Sequence, residues 1–401
     1  MTYDLIIIGA GAAGLFAAAN IPPGTRTLLL EKTASPGQKL LLTGNGQCNL
    51  TAEGNIADFL TRYGPNGKRL RPVLYPFSNR ALMAWFETEG LPLTVRADGK
   101  VFPASLNAHD VLNLLLAKSR ENGVELHCNT PVSALTRLDA HYQLETPSGP
   151  LAARHVLVAT GGASFPYTGS DGSFFAPLEA LGLTVTPRRP SLAPVYVHDY
   201  PYSGLSGISF SDCGLTIEAD GKPLRKEGGL LLTHRGFSGP LILNNARSIS
   251  QGQTIALHYL QNADPATLRR KLIEAATGEA KQILTLLEAE TGLPRRFLEV
   301  ICQRADILPD TKAARLGGPE LGRVASLLTA DRYTVSGVGG FASAMATAGG
   351  VSLDEVDLRT MAACRYPGLT FAGEVLDVDG DTGGYNLQFA FSSAKAAVDA
   401  I

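Results

Sequence analysis

The sequence predicts an α/β fold in which a doubly wound, nucleotide-binding domain is interrupted by an inserted domain. Three observations predict it. An apolar run, a glycine-rich turn and an alanine-rich segment follow one another within residues 4–32. A strand-like run, an acid, a glycine pair and a second alanine-rich segment occur within residues 369–401. Between them, from about residue 189, the pattern changes to short alternating runs and then to helical spacing.

The first element is a predicted strand, turn and helix. Residues 5–8 read Leu-Ile-Ile-Ile, which is typical of a strand buried on both faces of a parallel sheet. Gly9 permits a sharp turn, Gly11 leaves room for a pyrophosphate, and Gly14 lets the following helix pack closely on the strand. The positive end of that helix then faces the phosphates. The pattern predicts a Rossmann-like dinucleotide site, with an ordinary glycine-rich loop as the alternative.

An acidic residue at the end of the second predicted strand supports the dinucleotide site. Glu31 follows the apolar run 27–30 and lies about twenty residues beyond Gly11, the usual spacing for a ribose-binding acid. Its carboxylate can accept hydrogen bonds from ribose hydroxyls and would repel a 2′-phosphate.

Composition bounds the class of protein. A chain of 401 residues with 45% hydrophobic residues, 18% charged residues and 43 glycines suits a large, loop-rich α/β enzyme of two or three domains. The formal net charge of −2 and the lack of a long basic run argue against nucleic acid as the main partner. No apolar run reaches a membrane span or forms a signal peptide. We therefore expect a soluble, cytoplasmic protein with a small-molecule substrate, no membrane partner and an oligomeric state that the sequence leaves open.

The five cysteines are scattered and form no CxxC pair. Their spacing argues against a metal site, a disulfide framework and a redox-active dithiol. Four fit small buried side chains, whereas Cys48 lies in a polar loop.

That loop, residues 37–51, follows the predicted ribose-binding strand and is rich in Gly, Asn and Thr. Such a loop supplies hydrogen-bonding groups where the middle of a dinucleotide lies, although a surface loop is the alternative. Its run KLLLTGNGQCNLT, residues 39–51, resembles the signature of a bacterial FAD flavoprotein family that includes aminoacetone oxidase and a bile-acid 3-dehydro reductase. The resemblance covers the first half of the chain and about the last 60 residues, and it implies FAD as the cofactor.

The middle of the chain fits the same family. Helices are predicted at 79–90 and 108–122, and strands at 100–103, 124–127 and 155–158. The resemblance places Val132 near the adenine and the turn Ala159–Gly162 near the pyrophosphate. Gly169–Gly172 departs from the family's more frequent form, so no role is assigned to it.

The end of the chain gives the second strong signal. Residues 369–374 predict a strand ending in Gly-Glu, and residues 383–388 open a final helix. An acid there can bind ribitol hydroxyls, and the helix N-terminus can direct N–H groups at flavin N1 and the C2 carbonyl. An ordinary buried strand and helix is the alternative.

The motifs and the resemblance together imply a set of cofactor-binding residues. They are Gly9, Gly11, Ala12, Ala13, Gly14, Glu31, Lys32, Lys39, Thr43, Asn45, Cys48, Asn49, Val132, Thr160, Gly161, Gly162, Gly373, Glu374, Asp377, Gly384, Tyr385, Asn386 and Leu387. No catalytic residue and no metal ligand is assigned. Cys48 and Asn49 are expected near the flavin ring. Cys48, His234 and Arg235 are the side chains to watch, with packing or exposed structural roles as the alternatives.

The predicted domains are 1–188 and 336–401, which form the FAD domain, and 189–335, an inserted β-barrel-like and helical domain. Short strands are expected at 192–197, 205–211, 215–218 and 230–233, and helices from 265 to 328. The basic runs 269–271 and 295–296 favour solvated helix faces over an anion site. The active site is expected where the insert meets the flavin.

Residues 337–342 formally fit GxGxxA, which can mark a second nucleotide fold for NAD(P)H. No convincing strand, acid and return strand follow, so the sequence favours one dinucleotide site only.

These features predict an FAD-dependent oxidoreductase that acts on a small organic substrate by hydride transfer to or from flavin N5. The family resemblance leaves two enzymes open, an NAD(P)H-dependent enone reductase that binds NAD(P)H transiently and an oxygen-using amine oxidase. A non-catalytic flavin redox sensor is a further alternative.

Overall fold

The computed structural model describes residues 2–218, 222–278 and 280–401. They form two compact units. One contains the residues up to Ser191 together with Phe341–Ile401, and the other contains Leu192–Gly340.

The helices and strands are numbered here in chain order. The first segment of the first unit contains β1 Thr2–Ile8, α1 Ala12–Ala19, β2 Thr27–Leu30, α2 Gln38–Leu42, β3 Thr51–Ala52, α3 Ile56–Phe59, α4 Arg71–Leu74, α5 Asn79–Thr88, β4 Leu93–Val95, β5 Lys100–Pro103, α6 Ala108–Glu121, β6 Glu125–His127, β7 Ala134–Arg137, β8 Tyr142–Thr146, β9 Gly149–Val158, α7 Phe175–Ala180 and β10 Arg189–Ser191. The second unit contains β11 Val195–Val197, β12 Ser209–Ile217, β13 Leu224–Leu232, β14 Gly236–Ser238, α8 Pro240–Leu243, β15 Thr254–His258, α9 Pro265–Ala276, α10 Ile283–Thr291, α11 Arg295–Arg304, α12 Gly318–Thr329 and β16 Asp331–Val338. The chain returns to the first unit with β17 Ala346–Ala348, β18 Val356–Asp357, β19 Ala362–Ala363, β20 Leu369–Phe371 and α13 Tyr385–Val398.

The main sheet of the first unit has the strand order β18-β19-β20-β9-β1-β2-β6. Its central strands β6, β2, β1, β9 and β20 run parallel. The chain passes from β1 to β2 and β6 on one side and later to β9 and β20 on the other. This reversal beside β1 is the switch point at which open α/β sheets bind ligands. The predicted α/β, Rossmann-like class is confirmed.

Both ends of the chain contribute to one core. Phe16 of α1 lies with its ring centroid 4.6 Å from Trp85 and 4.9 Å from Phe391 of α13. Leu5, Ile6 and the rest of the predicted apolar run of β1 are buried. Packing of α1 against α13 therefore joins the two segments that flank the insert.

The second unit contains a closed barrel, β11-β14-β13-β12-β15-β16, which confirms the predicted barrel-like insert. The four longer helices α9–α12 follow the predicted helical region. The two strands expected at 205–211 and 215–218 are instead one strand, β12, with an irregular register between Phe210 and Cys213. A bulge of this kind breaks the sequence alternation without ending the strand.

A strand lies at each of the two predicted domain boundaries. Strand β10 begins just after residue 188 and pairs with β17 of the first unit. Strand β16 continues through residue 335 to Val338, so that boundary falls inside a barrel strand. The GxGxxA pattern begins within the same strand at Gly337, and a turn follows it at 341–343 in place of a helix.

In the described part of the chain, every helix is too short or too polar to cross a bilayer. The same residues contain no His, Cys, Asp and Glu cluster able to hold a metal ion.

Candidate cofactor site

A cavity of about 1430 Å³, part of it open to solvent, lies at the carboxyl ends of β1, β2, β9 and β20. All of its lining residues belong to the first unit. A cleft at the carboxyl ends of parallel strands, beside a switch point, is where open α/β sheets bind their ligands.

The glycine-rich turn after β1 forms one wall of the cavity. Gly9 has φ +100°, and a Cβ there would lie 2.6 Å from the Ala159 carbonyl oxygen. A Cβ on Gly14 would lie 1.9 Å from the Gly9 carbonyl oxygen, so only glycine allows the helix to approach. A Cβ on Gly11 would meet nothing within 4 Å. The turn therefore needs two glycines for packing and leaves the space beside the third open to a ligand.

Helix α1 presents an uncapped N-terminus to this space. Its N-cap is Gly11, which has no side chain, and the first turn contains no acidic residue. Ala12 and Ala13 line the cavity beside it. Unsatisfied N–H groups and the positive end of the helix dipole favour an anion here.

Glu31 closes the cavity at the end of β2. It is 8% exposed, and its Oε2 accepts a hydrogen bond of 3.0 Å from the Ala10 amide. Its Oε1 accepts hydrogen bonds of 2.8 Å from both the amide and the hydroxyl of Thr33. A carboxylate has about four lone-pair sites, so acceptor capacity remains for a ribose hydroxyl.

The segment from Thr168 to Phe175 also lines the cavity, although no role was assigned to it from the sequence. Lys32 connects it to β2, because Nζ lies 2.6 Å from Asp171 Oδ1 and 3.2 Å from Ser173 Oγ. Ser170 is buried, and its hydroxyl has no hydrogen-bond partner among the described residues. A polar ligand in the cavity would give this buried hydroxyl the hydrogen-bond partner that it lacks.

A second ion pair lines the cavity. Lys39 Nζ lies 2.5 Å from Glu374 Oε2, and Glu374 Oε1 accepts a 2.7 Å hydrogen bond from the Thr347 amide. The Thr347 hydroxyl accepts hydrogen bonds from the Ala163 and Ser164 amides. Glu374 thus links the polar loop after β2 to the returning segment near β17.

The start of α13 completes the wall. Its N-cap, Gly384, has φ +96° and provides no side chain. The Asn386 side chain bonds both the amide and the carbonyl of Gly380, so it holds the preceding loop. Asn386 and Leu387 line the cavity at the uncapped helix end.

The structure brings most of the predicted cofactor-binding residues to the cavity. Those on its wall are Gly9, Gly11, Ala12, Ala13, Glu31, Lys32, Lys39, Thr43, Val132, Thr160, Gly161, Gly162, Gly373, Glu374, Asn386 and Leu387. Those placed behind or beside the wall are Gly14, Asn45, Cys48, Asn49, Asp377, Gly384 and Tyr385. The open space beside Gly11, the two uncapped helix ends and the lone Ser170 hydroxyl together fit FAD.

Several residues off the wall shape the site from behind it. Asp377 accepts a hydrogen bond from the Gly349 amide and so fixes the returning segment. Gly384 packs on the backbone of Thr51, where a Cβ would lie 2.6 Å from the carbonyl carbon. The exposed Asn45 has φ 57° and forms part of a tight loop turn.

Cys48 lies in the core and not on the cavity wall. The pKa of its thiol is raised to about 12. Burial is the larger cause, and a hydrogen bond with Thr43 offsets part of the rise. The thiol is therefore protonated at neutral pH and is not a nucleophile. The expectation that Cys48 lies close to the flavin ring stays a prediction, and the structure adds that its thiol is behind the wall. The polarity of the loop concealed its depth, because burial of one side chain depends on the packing of distant elements.

The two other side chains singled out by the sequence lie in the second unit. His234 and Arg235 are exposed on the turn between β13 and β14. The Arg235 guanidinium lies 5.4 Å from the Tyr196 ring centroid, a cation–π contact. Neither residue lines the cavity of the first unit.

The family model described as HI0933-like protein Rossmann domain matches residues 3–400. The chain belongs to this family. The predicted resemblance to FAD flavoproteins is confirmed, and the flavoprotein is an oxidoreductase with a Rossmann domain of the FAD-binding kind.

Two curated relatives align over nearly the whole flavoprotein. A ribosomal RNA dihydrouridine synthase of Escherichia coli (strain K12) is 31% identical over 396 residues, covering 98% of this chain and 96% of the relative. A 3-dehydro-bile acid delta(4,6)-reductase of Clostridium scindens is 28% identical over 402 residues, covering 98% of this chain and 97% of the relative.

A solved structure agrees with the fold. The 3-ketosteroid-delta4-(5alpha)-dehydrogenase from Rhodococcus jostii RHA1 matches with a TM-score of 0.52 and 17% identity, covering 99% of this chain and 97% of that one. At this identity the likeness shows the fold alone.

Proposed function

We propose that this flavoprotein reduces a carbon–carbon double bond conjugated to a carbonyl, and that its substrate is a uracil base in ribosomal RNA. FAD binds in the cavity of the first unit, with its pyrophosphate at the N-terminus of α1 and its ribose at Glu31. The reductant is NAD(P)H, which binds transiently and is not retained.

One observation carries the proposal. The two relatives are named for different substrates, but both names imply the same kind of bond in the reaction. Dihydrouridine differs from uridine by two hydrogens on the C5–C6 bond, which is conjugated to the C4 carbonyl. The delta(4,6) bonds of a 3-dehydro bile acid are likewise conjugated to the 3-carbonyl. A common chemistry in two relatives that align end to end supports the same chemistry here.

The flow of atoms and electrons is that of a conjugate reduction. When bound, FAD would supply the redox chemistry, which is the transfer of a hydride from NAD(P)H to uracil C6. A proton adds at C5, so the C5–C6 double bond becomes a single bond and NAD(P)H becomes NAD(P)⁺.

The chain's own contribution lies in binding and charge. The N-terminus of α13, at Asn386 and Leu387, provides a positive helix end on the cavity wall. Such an end stabilises negative charge on a reduced flavin ring. Lys39 is held by Glu374, so these two residues add an almost neutral, hydrogen-bonded wall.

RNA is favoured over a free small molecule by the higher identity, 31% against 28%. The formal net charge of −2 argues against a broadly basic surface. It does not bear on a local site, since a few phosphate contacts need only a few arginines.

The test uses the FAD-loaded chain under anaerobic conditions with NADH or NADPH as the reductant. One reaction contains ribosomal RNA from cells that lack the chain's gene, and another contains a 3-oxo-4-ene steroid. Nucleoside mass analysis is expected to show a gain of two hydrogens on uridine in the first reaction. Reduction of the steroid alone would replace RNA with a small enone. Reduction of neither, with rapid oxygen consumption on an added amine, would overturn the proposal in favour of an amine oxidase.

A further inference from the structure

A second cavity, about 1140 Å³ and wide open to solvent, lies in the inserted unit between α9 and α12. We call it the arginine groove. Its described lining residues are Pro265, Ala266, Arg269, Arg304, Gly318, Pro319, Gly322, Arg323, Ser326 and Leu327. Among them three are arginines and none is acidic. The basic run 269–271 is exposed on α9, as the sequence predicts, and its first residue also lines this groove.

Two of the arginines are held in place through one nitrogen each. Arg269 Nε donates a 3.1 Å hydrogen bond to the Gly318 carbonyl, and Arg323 Nε donates a 2.9 Å hydrogen bond to the Ala305 carbonyl. Neither forms an ion pair with a described carboxylate. Nε of each arginine already donates to a carbonyl. The two terminal nitrogens of each guanidinium remain as a pair of hydrogen-bond donors, whose spacing matches two oxygens of a phosphate.

The glycines on the floor of the groove make room for the Arg269 side chain. Gly318 and Gly322 lie one turn apart on α12, and Arg269 lies across them. A Cβ on Gly318 would be 2.9 Å from Arg269 Nη2, and one on Gly322 would be 3.4 Å from its Nε. Helix α12 has Gly317 as its N-cap, with no side-chain cap, and Glu320 in its first turn offsets part of the positive helix end.

Several other charged side chains lie near the groove, and one of them is Glu320 in the first turn of α12. Arg304 is bidentate to the buried Asp331, at 2.6 and 2.7 Å. Asp264, before α9, accepts a hydrogen bond from the Thr267 amide as its N-cap. Lys271 pairs with Glu290 at 2.9 Å. Among the three arginines that line the groove, Arg269 and Arg323 are therefore the two that no described carboxylate pairs.

We infer that the arginine groove binds backbone phosphates of the RNA substrate, with Arg269 and Arg323 as the phosphate-contacting residues. The inference rests on the proposed function, because RNA is the polyanion which that function requires. Phosphate contacts position a nucleic acid without reading its sequence. The groove thus anchors RNA outside the cavity that holds FAD.

The experiment measures binding of a fluorescein-labelled, uridine-containing RNA hairpin to the FAD-loaded full chain at several salt concentrations. The double variant Arg269→Gln/Arg323→Gln is compared with Arg270→Gln, which removes one exposed charge from the same helix outside the groove. We expect the double variant to bind at least about tenfold more weakly and to lose about one unit of salt slope per arginine. Arg270→Gln should bind almost as the unchanged chain does. Arg269→Lys/Arg323→Lys, which keeps the charge but loses the fork, should be intermediate.

Every other outcome overturns the inference in an identifiable way. Equal RNA binding by the double variant and the unchanged chain would show that the groove does not bind RNA, and the proposed RNA substrate would still stand. If the unchanged chain binds no RNA and reduces a steroid enone, both the phosphate-binding role of the groove and the proposed RNA substrate are wrong. A higher KM for NADPH but not for NADH, with RNA binding unaffected, would assign the groove to the 2′-phosphate of the reductant. Flavin content and circular dichroism check that each variant is folded.

Discussion

Glu31 is fixed by protein hydrogen bonds before any ligand binds. Its carboxylate accepts from the Ala10 amide and from the amide and hydroxyl of Thr33. It therefore orients the glycine-rich turn and the start of the polar loop together. A ribose hydroxyl would meet an acceptor whose position is already set, which lowers the ordering cost of binding.

We expect Glu31→Ala to weaken FAD binding by about tenfold or more, because it removes a ligand acceptor and leaves buried amides unpaired at about 1–3 kcal/mol each. The measurement is flavin content after extensive dialysis, followed by titration with FAD. Glu87→Gln, at an exposed position on α5, is the control. Equal flavin retention by the Glu31 variant would remove this residue from the site.

Cys48 provides a pH prediction. Its pKa is raised from about 9 to about 12 by burial. A raised folded-state pKa gives stability that is complete below about pH 9 and is lost as the pH rises toward the folded value, because the unfolded thiol ionises first. By about pH 10 the loss amounts to about 1.4 kcal/mol for this thiol.

Urea unfolding of the unchanged chain and of Cys48→Ala at neutral pH and at about pH 10 tests this prediction. The variant should lose less stability on going to high pH, while its flavin content stays normal. Cys364→Ala, at an exposed position, should give the profile of the unchanged chain. Loss of turnover in Cys48→Ala with normal FAD content would show instead that the thiol takes part in catalysis.

At the scale of single elements, the glycines of the first turn separate packing from binding. Gly14 lies against the Gly9 carbonyl, whereas the space beside Gly11 is open. Gly11 also has φ −84°, which alanine adopts without strain.

We therefore expect Gly11→Ala to keep the fold, with a change in unfolding free energy of about 1 kcal/mol or less, but to bind FAD poorly because its methyl group enters the ligand space. Gly14→Ala should lower both stability and FAD binding, because its Cβ would overlap the carbonyl oxygen. Thermal melting and FAD titration of the two variants decide this. Normal FAD affinity in Gly11→Ala would place the pyrophosphate elsewhere.

The barrel strand β16 is joined to helix α11 by a buried polar network. Asp331 is 1% exposed and accepts hydrogen bonds from Arg304 and from the hydroxyls of Tyr202, Tyr259 and Tyr333. Burial and the Asp331 charge raise the pKa of Tyr202, so these tyrosines remain hydrogen-bond donors at neutral pH.

Asp331→Asn should cost about 3–5 kcal/mol of stability, because it leaves the Arg304 charge and the tyrosine donors without a full partner. The control is Glu218→Gln, which breaks an exposed ion pair with Arg332 on the same barrel. That change should cost less than about 1 kcal/mol. Denaturant unfolding compares the two, and equal effects would mean that the buried network does not hold the barrel to its helix.

At the scale of the whole molecule, the sequence predicted what is local. The strand, turn and helix at residues 2–19 and the final helix from Tyr385 follow from short-range patterns, since apolar runs, glycines and alanines fix their own geometry. The succession of short strands also predicted a barrel-like insert, and the structure shows that the barrel is closed.

The sequence did not predict contacts between distant segments. Residues 168–175 and Met345 line the cavity, and contacts such as those of the Thr347 hydroxyl with the Ala163 and Ser164 amides leave no local pattern in the sequence. The depth of Cys48 and the place of Arg269 in a groove likewise depend on which helices pack together. The register of β12 is irregular, so the apolar alternation of this single strand is interrupted and its sequence resembles two short strands.

The central claim is that the cavity formed by both ends of the chain binds FAD. The most direct test is the visible spectrum of the purified chain, with mass analysis of the molecule released on denaturation. The account predicts the absorption bands of oxidised flavin and one FAD released per chain. A colourless chain that takes up no added FAD, or one that binds NAD in its place, would contradict it.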